Sequence, residues 1–242
     1  MTTTLLILCG SAAAIAFVHT LLGPDHYLPF VALGRARNWS ARRTLGVTLA
    51  CGFGHIVGSL ILGTIGILLG LQLESLTFLE GLRSDLAAWG LVAFGIIYLS
   101  WGLRRGYRDR THSHWHRHGD RLHRHEHRHE AEHSHVHTAV DAYEPEAQRS
   151  LSAWTVFIIF VVGPCEPLIP VLMYPAARES LIGVFAVAGV YSLVTVATML
   201  LAVTAALWGT ERIGGLFSAR WGHAIAGSIV LLCGLSVTVL GL

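Results

Sequence analysis

The 242-residue chain has no lysine: all 17 of its basic residues are arginine. Charge of either sign is scarce, at 13% of residues against about a quarter in soluble domains. The scarcity is regional, which excludes an ordinary soluble domain. Leu5 to Leu22, Thr44 to Leu73, Leu86 to Leu103, Ser180 to Thr210 and Trp221 to Leu242 contain no Asp, Glu, Lys or Arg. Leu151 to Ala177 contains a single acid, Glu166. Cysteine is also scarce. Cys9, Cys51, Cys165 and Cys233 all fall in apolar runs with no C-x-x-C pair, which excludes a disulfide framework. The N-terminus lacks a basic n-region and a small-residue cleavage site, so a signal peptide is not expected. The net charge is only +2, and its arginines are distributed by topology, so no nucleic-acid partner is expected.

What remains is 53% hydrophobic with mean hydropathy +0.56. About 20 apolar residues cross a bilayer. The six runs therefore predict an all-α polytopic membrane protein of six transmembrane helices. The expected units are 1–103 and 151–242, three helices each, joined by a loop at 104–150. Of the 17 arginines, all but Arg83 and Arg178 fall in the odd-numbered loops. Basic residues mark the cytoplasmic face. The expectation is an inner-membrane, multi-pass protein with both termini outside and the 104–150 loop inside.

The two units resemble each other. F-V-H-T-L-L-G-P (Phe17 to Pro24) aligns with F-I-I-F-V-V-G-P (Phe157 to Pro164). Gly46 and Gly52 match Gly183 and Gly189; Trp89, Gly90, Gly95 and Gly102 match Trp221, Gly222, Gly227 and Gly234 at the same spacing. Each unit has an odd number of spans, so the second enters from the opposite face. That predicts a 3+3 inverted repeat. In such folds the substrate site lies near the midplane, at interrupted helices in matching positions. Proline removes a backbone donor and clashes with the preceding turn. Gly23-Pro24 and Gly163-Pro164 should therefore break helices 1 and 4.

Polar residues cluster at both breaks. Asp25 and His26 follow the first, Cys165 and Glu166 the second; His19 lies about one turn before the first break, and His55 lies within helix 2. Ionisable groups inside a membrane are costly and usually line a substrate path. Imidazole, carboxylate and thiolate together suit nickel, cobalt or zinc. The bland readings are a carbonyl-bonded core histidine for His19 or His55, a small apolar filler for Cys165 and proton coupling for Glu166. His223, near the start of helix 6, is expected at the interface.

The joining loop carries eleven histidines in three groups: His112, His114, His116 and His118; His123, His125, His127 and His129; His133, His135 and His137. In an extended chain alternate side chains share a face, so each group is a candidate auxiliary metal-binding site. The low hydrophobicity predicts disorder in the free state. Binding would be weak and pH-dependent, because imidazole must be neutral to ligate.

The segment H-T-L-L-G-P-D-H (His19 to His26) resembles the nickel/cobalt transporter superfamily, whose H-x-x-x-x-D-H signature supplies metal ligands. Here five residues, not four, separate His19 from Asp25. The G-P-D-H form is similar to the branch of urease-accessory-type membrane proteins and nickel/cobalt exporters. So is the later G-P-x-E-P segment at Gly163, Pro164, Glu166 and Pro167, and the histidine-rich loop resembles the exporter members. The resemblance covers both halves and implies transport of nickel or cobalt, with no enzymatic activity and no prosthetic group. The expected partners are the metal ion, the bilayer and a cytoplasmic metallochaperone. Two alternatives stand beside this. The chain is also similar to the thiol–disulfide electron carriers of cytochrome c biogenesis, which have six spans and a Pro-Cys motif at each break; here Asp25 occupies one of those positions. The second alternative is a membrane metallochaperone for urease or hydrogenase maturation.

Overall fold

The computed structural model of the chain describes residues 3–69, 73–108, 112–118, 121–127, 146–163, 167–172, 181–213 and 220–240. Its long elements are helices: α1 (Thr3–Leu22), α2 (Leu28–Ala36), α3 (Ala41–Leu68), α4 (Leu73–Arg108), α5 (Glu146–Val162), α6 (Leu181–Ile213) and α7 (Gly222–Leu240). A single 3₁₀ turn, Pro24–His26, joins α1 to α2. Among the described residues five helices are long and apolar enough to cross a membrane: Thr3–Leu22, Ala41–Gly66, Glu74–Arg108, Ile182–Thr210 and Gly222–Val239. The fourth expected span is interrupted. The apolar part of α5 is only Ala153–Val162, and helix resumes at 168–172 beyond the break. The protein is thus a polytopic helical membrane protein. Its outward surface agrees: Ile182, Phe185 and Leu201 are 76%, 74% and 70% exposed, as lipid-facing side chains must be.

Both interruptions form where proline removes backbone donors. At the first, Gly23 is extended (φ −84°, ψ 95°) and Pro24 opens the 3₁₀ turn. Pro29 then sits in the first turn of α2, where its missing N–H costs nothing. α2 is buried from Pro29 through Gly34. It ends at Asn38, whose left-handed φ of 50° lets the Trp39 N–H return to the Gly34 carbonyl at 2.8 Å. At the second interruption α5 stops at Val162, with Gly163 in a bend.

The helices of the two halves pack crosswise: α1 on α6, α3 on α5, and α4 on α7. The α4–α7 seam is the closest. A Cβ placed on Gly95 would lie 2.5 Å from the Leu231 nitrogen, and one on Gly227 would strike the Leu99 backbone. One on Gly102 would lie 2.5 Å from the Ala224 nitrogen, and one on Gly234 2.7 Å from the Val92 nitrogen. Only glycine permits such an approach, as in other membrane helix pairs. A central apolar cluster joins α2, α3, α4, α5, α6 and α7 through residues such as Phe30, Cys51, Tyr98, Phe160, Met199 and Ala226. A second binds α1 to α6 and the 168–172 segment through Ala12, Ala16, Leu168, Leu172, Val187 and Tyr191.

Between α4 and α5, β1 (His112–His118) and β2 (Arg121–His127) pair antiparallel. This part of the histidine tract is therefore extended and paired rather than unstructured. Histidine at alternate positions is a period-two pattern, which a strand matches. The register sets His112 opposite His127, His114 opposite His125 and His116 opposite His123. His129, His133, His135 and His137 lie outside the described residues.

Candidate metal centre

The first break assembles three histidines. α1 carries His19 on its last turn, the 3₁₀ turn carries His26, and α3 passes close enough to add His55. The His19 and His26 ring centroids are 5.0 Å apart, those of His26 and His55 5.5 Å, and both pairs meet edge to face. His26 and His55 are buried, at 3% and 4% exposure. His55 lies 14 residues into α3, about 21 Å at 1.5 Å per residue, which sets the site deep in the helical layer.

Two of the three rings are oriented by hydrogen bonds. His26 Nδ1 donates to Asp25 Oδ1 at 3.1 Å and to the Gly23 carbonyl at 3.3 Å. His55 Nδ1 donates to the Phe160 carbonyl at 3.3 Å. Both partners are acceptors, so the proton sits on Nδ1 and the Nε2 lone pair is free in the neutral ring. The Nε2 atoms of His19, His26 and His55 are all buried without a hydrogen-bond partner. Buried polar atoms are rarely left so. Gly23 makes room for the arrangement: a Cβ there would lie 2.6 Å from His26 Nδ1 and 2.9 Å from Asp25 Oδ1.

These groups open on one cavity of ≈ 300 Å³, walled by His19, Gly23, Asp25, His26 and His55 on one side and by Ala87, Leu91, Phe160, Gly163 and Pro167 on the other. A ring nitrogen fixed by a carbonyl or carboxylate, with the other nitrogen free, is how metal-ligating histidines are held. The donor set fits a borderline divalent transition metal. The rings nevertheless stand apart. Among the described residues no group of three or more His, Cys, Asp or Glu side chains is gathered closely enough to hold an ion as it stands.

Of the expected site residues, His19, Asp25, His26 and His55 meet at this cavity. Cys165 and Glu166 lie outside the described residues, although Gly163 and Pro167 on either side of them line the cavity. Cys51 does not reach it. Cys51 lines a separate groove between α3 and α5 with Arg43, Trp154 and Phe157. It is a free thiol, as are Cys9 and Cys233.

Sequence reading left the partners of two groups unread. His223 was expected at the interface. It is buried, and its Nδ1 is 2.8 Å from the Tyr98 hydroxyl, which also accepts from Arg37 Nε at 3.1 Å. Trp101 meets the same imidazole edge to face, with ring centroids 4.7 Å apart. Arg83, noted only for its side of the membrane, reaches the end of α5, where it donates to three successive carbonyls. Neither role leaves a local motif, because the partners are more than 60 residues away.

The cavity and its histidines thus belong to a polytopic membrane protein whose candidate ligands sit at a helix break. Comparison with protein-family models, with curated proteins and with solved structures gives no significant match.

Proposed function

We propose that the chain transports a divalent transition-metal ion, nickel or cobalt, across the cytoplasmic membrane by alternating access around its two broken helices. The carrying observation is the three unpartnered imidazole Nε2 atoms of His19, His26 and His55, buried at one membrane cavity. Asp25 orients His26, and its carboxylate neutralises part of the ion's charge. Glu166 and Cys165, on the chain beside the cavity wall, complete the proposed ligand set, and Glu166 is the candidate for a counter-flowing proton.

Alternating access rests on a 3+3 inverted repeat, and the α4–α7 seam supports it. Under the alignment that pairs Gly95 with Gly227, the contact of Gly95 with Leu231 becomes that of Gly227 with Leu99. The contact of Gly102 with Ala224 becomes that of Gly234 with Val92. Exchange of this kind is what a twofold relation between two units produces. The orientation follows arginine. Arg35, Arg37, Arg43, Arg105, Arg212 and Arg220 lie where helices end or begin, and four tryptophans, Trp39, Trp101, Trp208 and Trp221, carry arginines over their rings. Arginine with an aromatic belt marks the cytoplasmic interface. On this reading both termini are outside and the histidine tract is inside, as an auxiliary site that collects or receives metal.

The dithiol reading gains no support from Cys51, which lines a groove separate from the cavity of His19, His26 and His55. The test is metal flux in proteoliposomes, read with a trapped indicator across nickel, cobalt and zinc. Saturable flux lost in His26→Ala supports the transporter. Tight binding without flux supports the metallochaperone instead. A reversible Cys51–Cys165 disulfide, detected by alkylation and mass shift, supports the electron carrier.

A further inference from the structure

We propose that Arg83 is the positioning residue of the cavity's second wall: it holds the end of α5 so that His55 presents Nε2 to the ion. The inference rests on the metal reading of the cavity given above.

The need arises in the sequence. A helix leaves its last carbonyls without partners. Beyond α5 stand Pro164 and Pro167, neither of which has an N–H. The i to i+4 pattern would have paired those two positions with the carbonyls of Phe160 and Gly163, so proline orphans both. At membrane depth an unsatisfied backbone group is not tolerated unless protein or a wet cavity receives it. The structure meets this with two side chains from other helices. His55 Nδ1 takes the Phe160 carbonyl at 3.3 Å. Arg83 takes the next three: Nη2 to Val161 at 3.2 Å and to Gly163 at 3.3 Å, and Nε to Val162 at 3.1 Å.

Two features show that the arrangement is built for guanidinium. Glu80, one turn earlier on α4 and 2% exposed, accepts from Arg83 Nη1 at 2.7 Å. The fork therefore has one edge on a carboxylate and the other on carbonyls, a geometry lysine cannot copy. On α3, a Cβ at Gly58 would lie 2.8 Å from Arg83 Nη2 and 2.8 Å from the Val161 oxygen. Gly58 leaves the gap through which the guanidinium reaches the helix end.

The link to the ion runs through one ring. His55 binds the α5 end with Nδ1 and lines the cavity, with its buried Nε2 left unpartnered. Any drift of the carbonyls at 160–163 therefore turns the imidazole. Among the described residues Arg83 contacts none of the candidate ligands, yet it sets how well His55 is aimed. Its positive charge is offset by Glu80 and by the negative end of the α5 dipole, so it does not repel the cation.

The test uses the full chain in nanodiscs, with Co²⁺ as probe. Arg83→Gln is expected to raise amide hydrogen exchange in the last turn of α5 at least tenfold and to leave the α4–α7 seam unchanged. Co²⁺ affinity should fall about 10–100-fold, the range for losing an orienting partner, while stoichiometry and the ligand-field band persist. Arg83→Lys should restore thermal stability but only part of the affinity. Gly58→Ala, which keeps both charges, should reproduce the affinity loss and covers the case in which Arg83→Gln fails to insert. Wild-type exchange and wild-type affinity in Arg83→Gln and Gly58→Ala would overturn the proposal. If the wild-type chain binds no Co²⁺, the metal reading fails; loosening of α5 in Arg83→Gln then still supports the cap, and unchanged exchange overturns it.

Discussion

Three imidazoles sharing one membrane cavity are hard to account for as packing, because each buried ring nitrogen left without a partner costs free energy. A cation that takes those nitrogens supplies the missing partner. At this scale the expected outcomes are graded by what each side chain touches. His26→Ala removes a ligand and should abolish Co²⁺ binding, measured by visible absorption titration of the inserted protein. Asp25→Asn keeps the ring but weakens its orienting bond at 3.1 Å, so affinity should fall by about 10–100-fold rather than vanish. Tyr98→Phe deletes the bridge between Arg37 and His223, far from the cavity wall. It should cost about 1 kcal/mol of stability, seen as a lower melting temperature in detergent, with metal binding unchanged. His19, Asp25 and His26 were legible because all three lie within eight residues around one Gly-Pro pair. Arg83 and His223 were not, since their meaning comes from carbonyls and hydroxyls on other helices.

The helices differ in how much of their form is local. Both breaks follow from proline chemistry, and the end of α2 follows from Asn38. The glycine pattern of α4 and α7 predicted a repeat, but not that those glycines bring the two helix backbones into contact. Packing now separates glycines that composition treats alike. Gly95→Leu or Gly227→Leu drives a side chain into opposing backbone and should cost at least about 1–3 kcal/mol. Gly46→Ala and Gly189→Ala meet nothing within 4 Å and should be neutral or slightly stabilising, because alanine is the better helix former. A thermal melt of the four variants checks both statements together. The fourth expected span stops at Val162, where the Gly163-Pro164 pair had placed a break.

For the whole molecule, the histidine ladder lies outside the helices that build the cavity. Deleting 112–137 should therefore leave saturable flux in place and change the apparent affinity or the metal load per protein. Proteoliposome uptake, with bound metal counted by elemental analysis, reads both. Metal held by the ladder should be released on acidification, because protonated rings cannot ligate. Loss of all flux in a correctly inserted deletion would place the ladder on the route itself.

Membrane residence, the positions of the two breaks and the chemical kind of donor at them were determined by the amino-acid sequence alone. Each depends on neighbours along the chain: hydropathy over one span, a missing N–H, the side chains next to it. What only the tertiary structure decided is which donors meet. His55 joins His19 and His26 because α3 brings its ring to 5.5 Å from that of His26, Cys51 is turned into another groove, and Arg83 closes the end of a helix 80 residues away. Those outcomes come from helix packing, where glycine seams set the distance of approach and orphaned carbonyls select their partners from whatever side chain arrives.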